Sequence, residues 1–323
     1  MDIGIVFDLR EAYLERGMTL EETAEFDSQE TVLAIEESLI SLGHRVERIG
    51  GAKELLSLLA YGRRWDLVFN IAEGIRGKFR ESIVPAMLEL YGIPYTFSDP
   101  LSTAITLDKG TAKKLILYHG IRTPEFCLVS SPHEIDRIGL DFPLFVKPNQ
   151  EGTGKGIDEK SIVRDSSSLR ERIEALLFRF GQPVLVEEYL PGREFTVGVV
   201  GEGESAWALG TMEIRVKGGY GVYSFRAKEE CESLVEYLDL REDGLRSQVE
   251  EVAIGAYRAL GLRDLARIDI KLSQEGVPMF LEANPLPGLH PTHSDLPMIA
   301  KMQGWSFRDL IAYIITSASK RLR

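Results

Sequence analysis

Cysteine is nearly absent from this chain: Cys127 and Cys231 are the two in 323 residues, and they form no CxxC pair. That excludes a disulfide framework and a thiolate metal site, and it fits reduced thiols in a cytoplasmic protein. Long hydrophobic runs are also missing. No stretch approaches the about 18 apolar residues of a membrane-spanning helix, and the opening MDIGIVFDLREAY carries charges too early and too often for a signal peptide. Basic residues are in the minority, 38 against 50 acidic, for a net charge of −12. This balance argues against nucleic acid or an anionic membrane as the main partner, because both require a basic footprint. A small anionic ligand stays open, since a few lysines suffice to make a local positive site. No GxGxxG follows the first strand-like run, IGIVF (3–7), which argues against a dinucleotide site. The glycine loop NQEGTGKGI is not a P-loop either, because Lys155 is followed by Gly156 rather than Ser or Thr. No internal repeat or low-complexity segment is present.

What is present is an ordinary globular composition, 44% hydrophobic and 27% charged, in a chain long enough for two or three domains. The first hundred residues alternate strand-like and helix-like stretches: IGIVF, a helix from about Ser28 closed by Gly43, RVERIG, AKELLSLLA, DLVFNI (66–71), a helix around ESIVPAMLELYG, and IPYTF. Strands alternating with helices predict a parallel α/β sheet whose ligands bind at the carboxyl ends of the strands, here at Asp8, Asn70 and Glu73. A single helix is expected over 102–120. FPLFVKP (142–148) and SIVRD read as strands flanking the glycine loop, and a helix follows near 167–180. PVLVEEYLPGREFTVGVV reads as two strands joined by a Pro-Gly turn. Residues 203–235 are too irregular to assign. A helix over 243–261, a hairpin RIDIKL–SQEGV–PMFLEAN and a last helix over 306–320 complete the chain.

The chemistry concentrates in a few polar groups inside apolar runs. Asp269 interrupts Ile268 and Ile270, while Glu282 and Asn284 close the run Met279, Phe280 and Leu281. An antiparallel hairpin brings Asp269 opposite Glu282, and the two-residue spacing of Glu282 and Asn284 puts both on one face. Three oxygen donors on one face suit Mg²⁺, with Mn²⁺ as a substitute. The bland reading, an edge hairpin with solvated polar positions, predicts the same alternation. Lys147 ends PLFVK and Lys109 sits in TLDK, apolar settings where an ammonium needs a counter-charge such as a polyphosphate. Backbone N–H groups of the loop holding Glu151, Gly152 and Thr153 are suited to phosphate oxygens. Glu187 and Glu194 flank two strands, where a carboxylate accepts from ribose hydroxyls or an adenine amino group.

In order along the chain, LDK, FVKP, EGTGKGI, VEEYLPGREFTV, Lys228 after an aromatic stretch, RIDIKL and LEANPLPGLHPTHSDLP resemble the ATP-grasp superfamily. More narrowly they are similar to the D-alanine–D-alanine ligase family, from about residue 66 onward. The resemblance implies an α/β fold with an N-terminal parallel domain (1–98) and a two-subdomain ATP-grasp unit (99–185 and 186–323). It implies ATP and Mg²⁺ as cofactors, amino acids as substrates, and a homodimer. Lys109, Lys147, Glu151, Gly152 and Thr153 would contact the phosphates and the adenine side, with Glu187 and Glu194 on adenine and ribose. Val186, Glu188, Tyr189 and Leu190 would wall the base. Asp269, Glu282 and Asn284 would hold two Mg²⁺, and Lys228 would reach the γ-phosphate from a mobile loop at about 215–230. Arg267 and the Gly288 backbone N–H would serve the tetrahedral oxyanion, and Glu25, Glu73, His293 and Ser294 would line the amino acid site, although Glu22 and Glu30 compete with Glu25.

The sequence departs from that family in its substrate half. NIAEGIRGKFRES stands where a His-Gly and a Gly-Glu-Asp-Gly run are expected, placing Glu73 at the former and Arg80, Glu81 and Ser82 at the latter; Glu229 replaces an aromatic after Lys228. The activity implied is an ATP-dependent carboxylate–amine ligase acting through an acyl phosphate. The alternatives are a ligase of this type for another amino acid or biosynthetic intermediate, a non-catalytic nucleotide-binding regulator, and a periplasmic-type binding module.

Overall fold

The computed structural model describes residues 1–217, 222–224 and 230–322. Three sheets organise them. The N-terminal sheet is built from β1 (Asp2–Val6), β2 (Arg45–Gly50) and β3 (Leu67–Asn70), all parallel in the order β2-β1-β3. Between β1 and β2 lie the short α1 (Arg10–Leu14) and α2 (Gln29–Ser41), the latter capped by Ser28, whose side chain accepts from the Thr31 N–H. Then come α3 (Ala52–Ala60) and α4 (Ile83–Leu90). One face of this sheet packs Ile3, Ile5 and Phe69 against Val32, Ile35 and Leu39 of α2; the other packs Val6 and Val68 against Leu55, Leu59 and Leu88. IPYTF forms no strand. Tyr95 makes an isolated bridge to Val68 and Phe97 turns to φ 70, so the backbone leaves the sheet there.

The expected helix over 102–120 is two helices, α5 (Pro100–Leu107) and α6 (Lys109–Tyr118), broken at Asp108. Asp108 adopts an extended conformation and its side chain accepts from the Thr111 N–H, so a capping residue interrupts what periodicity alone joins. The second sheet, antiparallel in order β4-β7-β5-β6, comprises β4 (Phe126–Val129), β5 (Leu144–Pro148), β6 (Ile162–Val163) and β7 (Val184–Glu188), with α7 (Ser166–Phe180) behind it. The division expected at 185/186 falls inside β7, whose pairing with β4 and β5 keeps the whole strand in this sheet.

The third sheet is antiparallel, β10-β9-β8-β11-β12. It contains β8 (Glu194–Glu202), β9 (Trp207–Val216), β10 (Val235–Asp239), β11 (Arg263–Leu272) and β12 (Pro278–Asn284), with the single turn α8 (Cys231–Leu234) leading into β10. The Pro-Gly turn between β7 and β8 therefore carries the chain from one sheet to the other rather than closing a hairpin. Strand β9, in the stretch left unassigned from sequence, lies between β10 and β8, and its run from Leu209 to Ile214 is buried. α9 (Asp243–Ala259) and α6 cover the back of this sheet. α10 (Asp295–Met302) and α11 (Phe307–Ser319) follow, and α11 returns to α2, placing Leu310, Ile311 and Ile314 in the same core as Ile3 and Phe69. Asp264, buried at φ 61, fastens this return: it accepts from the Phe97 N–H at 2.7 Å, Ser317 Oγ at 2.8 Å and Arg321 at 2.6 Å.

Candidate active site

The hairpin β11–β12 sets Asp269 opposite Glu282 and Arg267 opposite Asn284. Between Asp269 and Ile270 the register shifts, so that Ile270 faces Phe280 and Leu281 is the extra residue. Without a bulge, Phe280 and Glu282 would share a face. The bulge separates them: Phe280 joins the core with Ile268 and Ile270, while Glu282 turns to the cleft beside Asp269. Arg267 is held by charge-assisted bonds of 3.0 Å, Nε and Nη2 donating to Asp269 and Nη1 to Asp295 of α10. Burial disfavours its charge, but the two carboxylates outweigh that and keep the guanidinium protonated. Asp269 also accepts from Thr196 Oγ1 at 2.8 Å and from Asn284 Nδ2 at 3.3 Å.

Across from this hairpin the second sheet presents its own charges. Lys109, Lys147, Glu151, Glu187, Glu188, Tyr189, Leu190 and Glu194 line one cleft with Asp269 and Glu282. Because Asp108 restarts the helix, Lys109 stands on the first turn of α6; its Nζ donates to the Glu151 carbonyl at 2.6 Å and lies 3.5 Å from Glu282. Lys147 on β5 pairs with Glu187 on β7 at 2.9 Å. Burial alone would raise the Glu187 carboxyl, but Lys113 and Lys147 overcome it and hold the group below the ordinary carboxylate range. Glu194 pairs with Lys271 at 2.8 Å. Two of the cations engaged here, Lys113 and Lys271, are not singled out by the sequence, and Lys155 enters it only as part of the glycine loop. Val186 faces away from the cleft into the core behind the second sheet.

A second, wider cleft continues from Lys109 and Glu282 toward the N-terminal sheet. It is lined by Gly152, Thr153, Arg267, Asn284, Gly288, His293 and Ser294, and on the far wall by Glu25, Asp27, Glu73 and Glu81. Of the competing acids, Glu22 is exposed and turned back on Thr19, and Glu30 is exposed 3.4 Å from His290. Glu25 points inward. It accepts from Gly152 N–H at 2.6 Å, Lys155 Nζ at 2.7 Å and Arg80 Nη2 at 3.0 Å. Glu25 thus ties the glycine loop to Arg80, whose Nη1 donates to the Gln150 carbonyl at 3.0 Å. The remaining acids of this wall are less well compensated. Burial lifts Glu81 to about 7 against the pull of Arg80, and burial with the neighbouring Asp8 lifts Asp27 to about 8. Glu73 is raised well above its ordinary value by burial and by Glu81 and Glu25. A side chain at Gly288 would meet Ser294 Oγ at 2.8 Å, so glycine lets the backbone approach that hydroxyl. Lys228, and Glu229 beside it, lie outside the described residues.

Two antiparallel sheets facing each other across a lysine-lined cleft, with a paired Asp and Glu on one of them and a parallel α/β domain alongside, define an ATP-grasp ligase. Residues 120–316 match the family model "D-ala D-ala ligase C-terminus". A D-alanine–D-alanine ligase of Bordetella petrii is 36% identical over 273 residues, 83% of this chain and 80% of that enzyme. The D-alanine–D-alanine ligase of Bacillus anthracis complexed with ATP superposes with a TM-score of 0.75 at 24% identity, covering 99% of this chain and 98% of that one. The VanG D-Ala:D-Ser ligase of Enterococcus faecalis gives 0.75 at 23%, covering 98% and 99%. The chain belongs to the D-alanine–D-alanine ligase family, and is an ATP-dependent ligase that forms amide bonds. Among the described residues no helix is long and apolar enough to cross a membrane.

Proposed function

We propose that the protein joins two amino acids by activating one carboxylate as an acyl phosphate, with D-alanine the reference substrate for both positions. The observation that carries this reading is the register of β11 and β12, which sets Asp269 against Glu282 beside Arg267 at the junction of the two clefts. Asp269, Glu282 and Asn284 fit Mg²⁺, because three hard oxygen donors project from one face of the hairpin. When bound, the ion neutralises phosphate charge that would otherwise repel an incoming carboxylate. In the first cleft, Lys147 and Lys109 hold the nucleotide, Glu187 meets the base and Glu194 the ribose. Transfer of the γ-phosphoryl group to a carboxylate oxygen releases ADP and leaves a good leaving group on carbon. The amine of the second substrate then attacks that carbon and phosphate departs. Arg267 and the Gly288 N–H stand by the second cleft as donors to the tetrahedral oxyanion. The same reading takes the protein as a cytoplasmic homodimer.

The residues in which the chain departs from its family pattern lie in the substrate half. The wall bearing Glu25, Asp27, Glu73 and Glu81, with Arg80 committed to Glu25, is a hydrogen-bonding surface, and such surfaces discriminate strongly against ligands that leave a group unpaired. A second reading therefore keeps the chemistry and changes the acceptor, D-serine being one candidate. ADP release measured with D-alanine, D-serine and a panel of other amino acids, with the product identified by mass, separates the two. Turnover of about 1–10³ s⁻¹ with D-alanine, unsurpassed in the panel, establishes the first reading. A faster panel member establishes the second, and no ADP release with any amino acid would sink both.

A further inference from the structure

Glu187 is gripped from two sides. Its Oε1 lies 2.9 Å from Lys147 Nζ, and its Oε2 lies 2.9 Å from Lys113 Nζ. Lys147 lines the first cleft together with Glu187, whereas Lys113 is wholly buried behind it on α6. The Lys113 ammonium is fixed in turn by Thr123, whose Oγ1 accepts from it at 2.7 Å and donates to the Phe280 carbonyl at 2.7 Å. A chain of contacts therefore runs from Glu187 through Lys113 and Thr123 to the strand that carries Glu282. An apolar side chain would fill the site of Lys113 without the several kcal/mol cost of burying an ammonium, so packing does not account for a lysine there.

We infer that Lys113 is a positioning residue that holds the Glu187 carboxylate as a pure acceptor at the base end of the cleft, and so selects a purine with a 6-amino group over one with a 6-oxo group. The inference rests on the proposed placement of the base against Glu187. An ionised carboxylate offers only lone pairs, and each of its oxygens keeps one beyond its contact with lysine. An amino group can donate to them; an oxo oxygen is repelled. Removing Lys113 leaves a buried carboxyl with one cation instead of two, and burial then favours the protonated form. A protonated Glu187 has an O–H with which to meet an oxo oxygen, so discrimination between the purines falls. Lys113 is itself pulled down by burial, to about 8, and remains mostly charged at neutral pH.

The test is calorimetric binding of the non-hydrolysable analogues AMP-PNP and GMP-PNP, with Mg²⁺ at pH 7, to the full chain and to K113M, T123V and E187Q. K113M is expected to weaken AMP-PNP about tenfold, the loss of one charge-assisted contact, with GMP-PNP unchanged or tighter. T123V, nearly isosteric, loosens Lys113 without removing it and should shift the same ratio about threefold; it carries the test if K113M does not melt cooperatively. E187Q is expected to abolish the preference. K113M and T123V that leave the ratio of the two affinities unchanged, while E187Q abolishes it, overturn the role of Lys113 alone. An E187Q variant that keeps the full preference overturns the placement of the base and the inference together.

Discussion

Glu282→Gln is expected to lower turnover by about two to three orders of magnitude, the equivalent of several kcal/mol of transition-state charge stabilisation. The substitution keeps the volume and removes the charge. Glu282 sits at the meeting of the clefts, opposite Asp269 and 3.5 Å from Lys109 Nζ. Its side chain retains 21% exposure, so the loss of that long contact should change stability by less than about 1 kcal/mol. Steady-state ADP release at saturating Mg²⁺, with the melting temperature as control, checks both halves. Unchanged turnover in a folded variant removes Glu282 from the metal set.

Arg267→Met should show the opposite balance, with stability and activity falling together. The guanidinium satisfies Asp269 through two bonds and Asp295 through a third, all at 3.0 Å. Removing it strands two carboxylates of low exposure beside each other, a situation that costs about 3–5 kcal/mol. Loss of the donor proposed for the oxyanion adds a fall in turnover of about 10²–10³. Arg267→Lys restores the charge but not the fork that spans the two acids, so it should recover stability only in part. Chemical denaturation and single-turnover product formation report the two effects separately. A Met variant as stable as the parent would mean that Asp269 and Asp295 are held apart by something other than Arg267.

The hairpin was legible in the sequence because its signals are local. Alternating residues around Asp269, a turn with Gly276 and the two-residue spacing of Glu282 and Asn284 each depend on neighbours a few positions away. Lys113 was not legible for the converse reason. In KGTAKKLILY it reads as an ordinary lysine on a helix, and only folding brings Glu187 and Thr123 to its ammonium. The choice among Glu22, Glu25 and Glu30 stayed open for the same reason, since what distinguishes Glu25 is the approach of Lys155 and Arg80 from elsewhere in the chain. Asp108 carried a readable cap signal that the longer apolar period of 102–120 obscured. Strand β9 was hidden by Gly210 and by mixed polarity, although Thr211 and Glu213 are buried with partners on other elements.

The extra residue at Leu281 gives two neighbouring stretches of chain opposite histories open to them. Between Pro278 and Glu282 the frame is fixed: deleting one residue would carry the carboxylate of Glu282 into the oily layer of Ile268 and Ile270, or swing the Phe280 ring out among the charges. From Ser273 to Val277 the same chain only turns a corner, and there a lineage is free to lengthen or shorten it. Relatives of this protein that keep its chemistry are thus expected to differ in length on one side of Pro278 and to agree to the residue on the other.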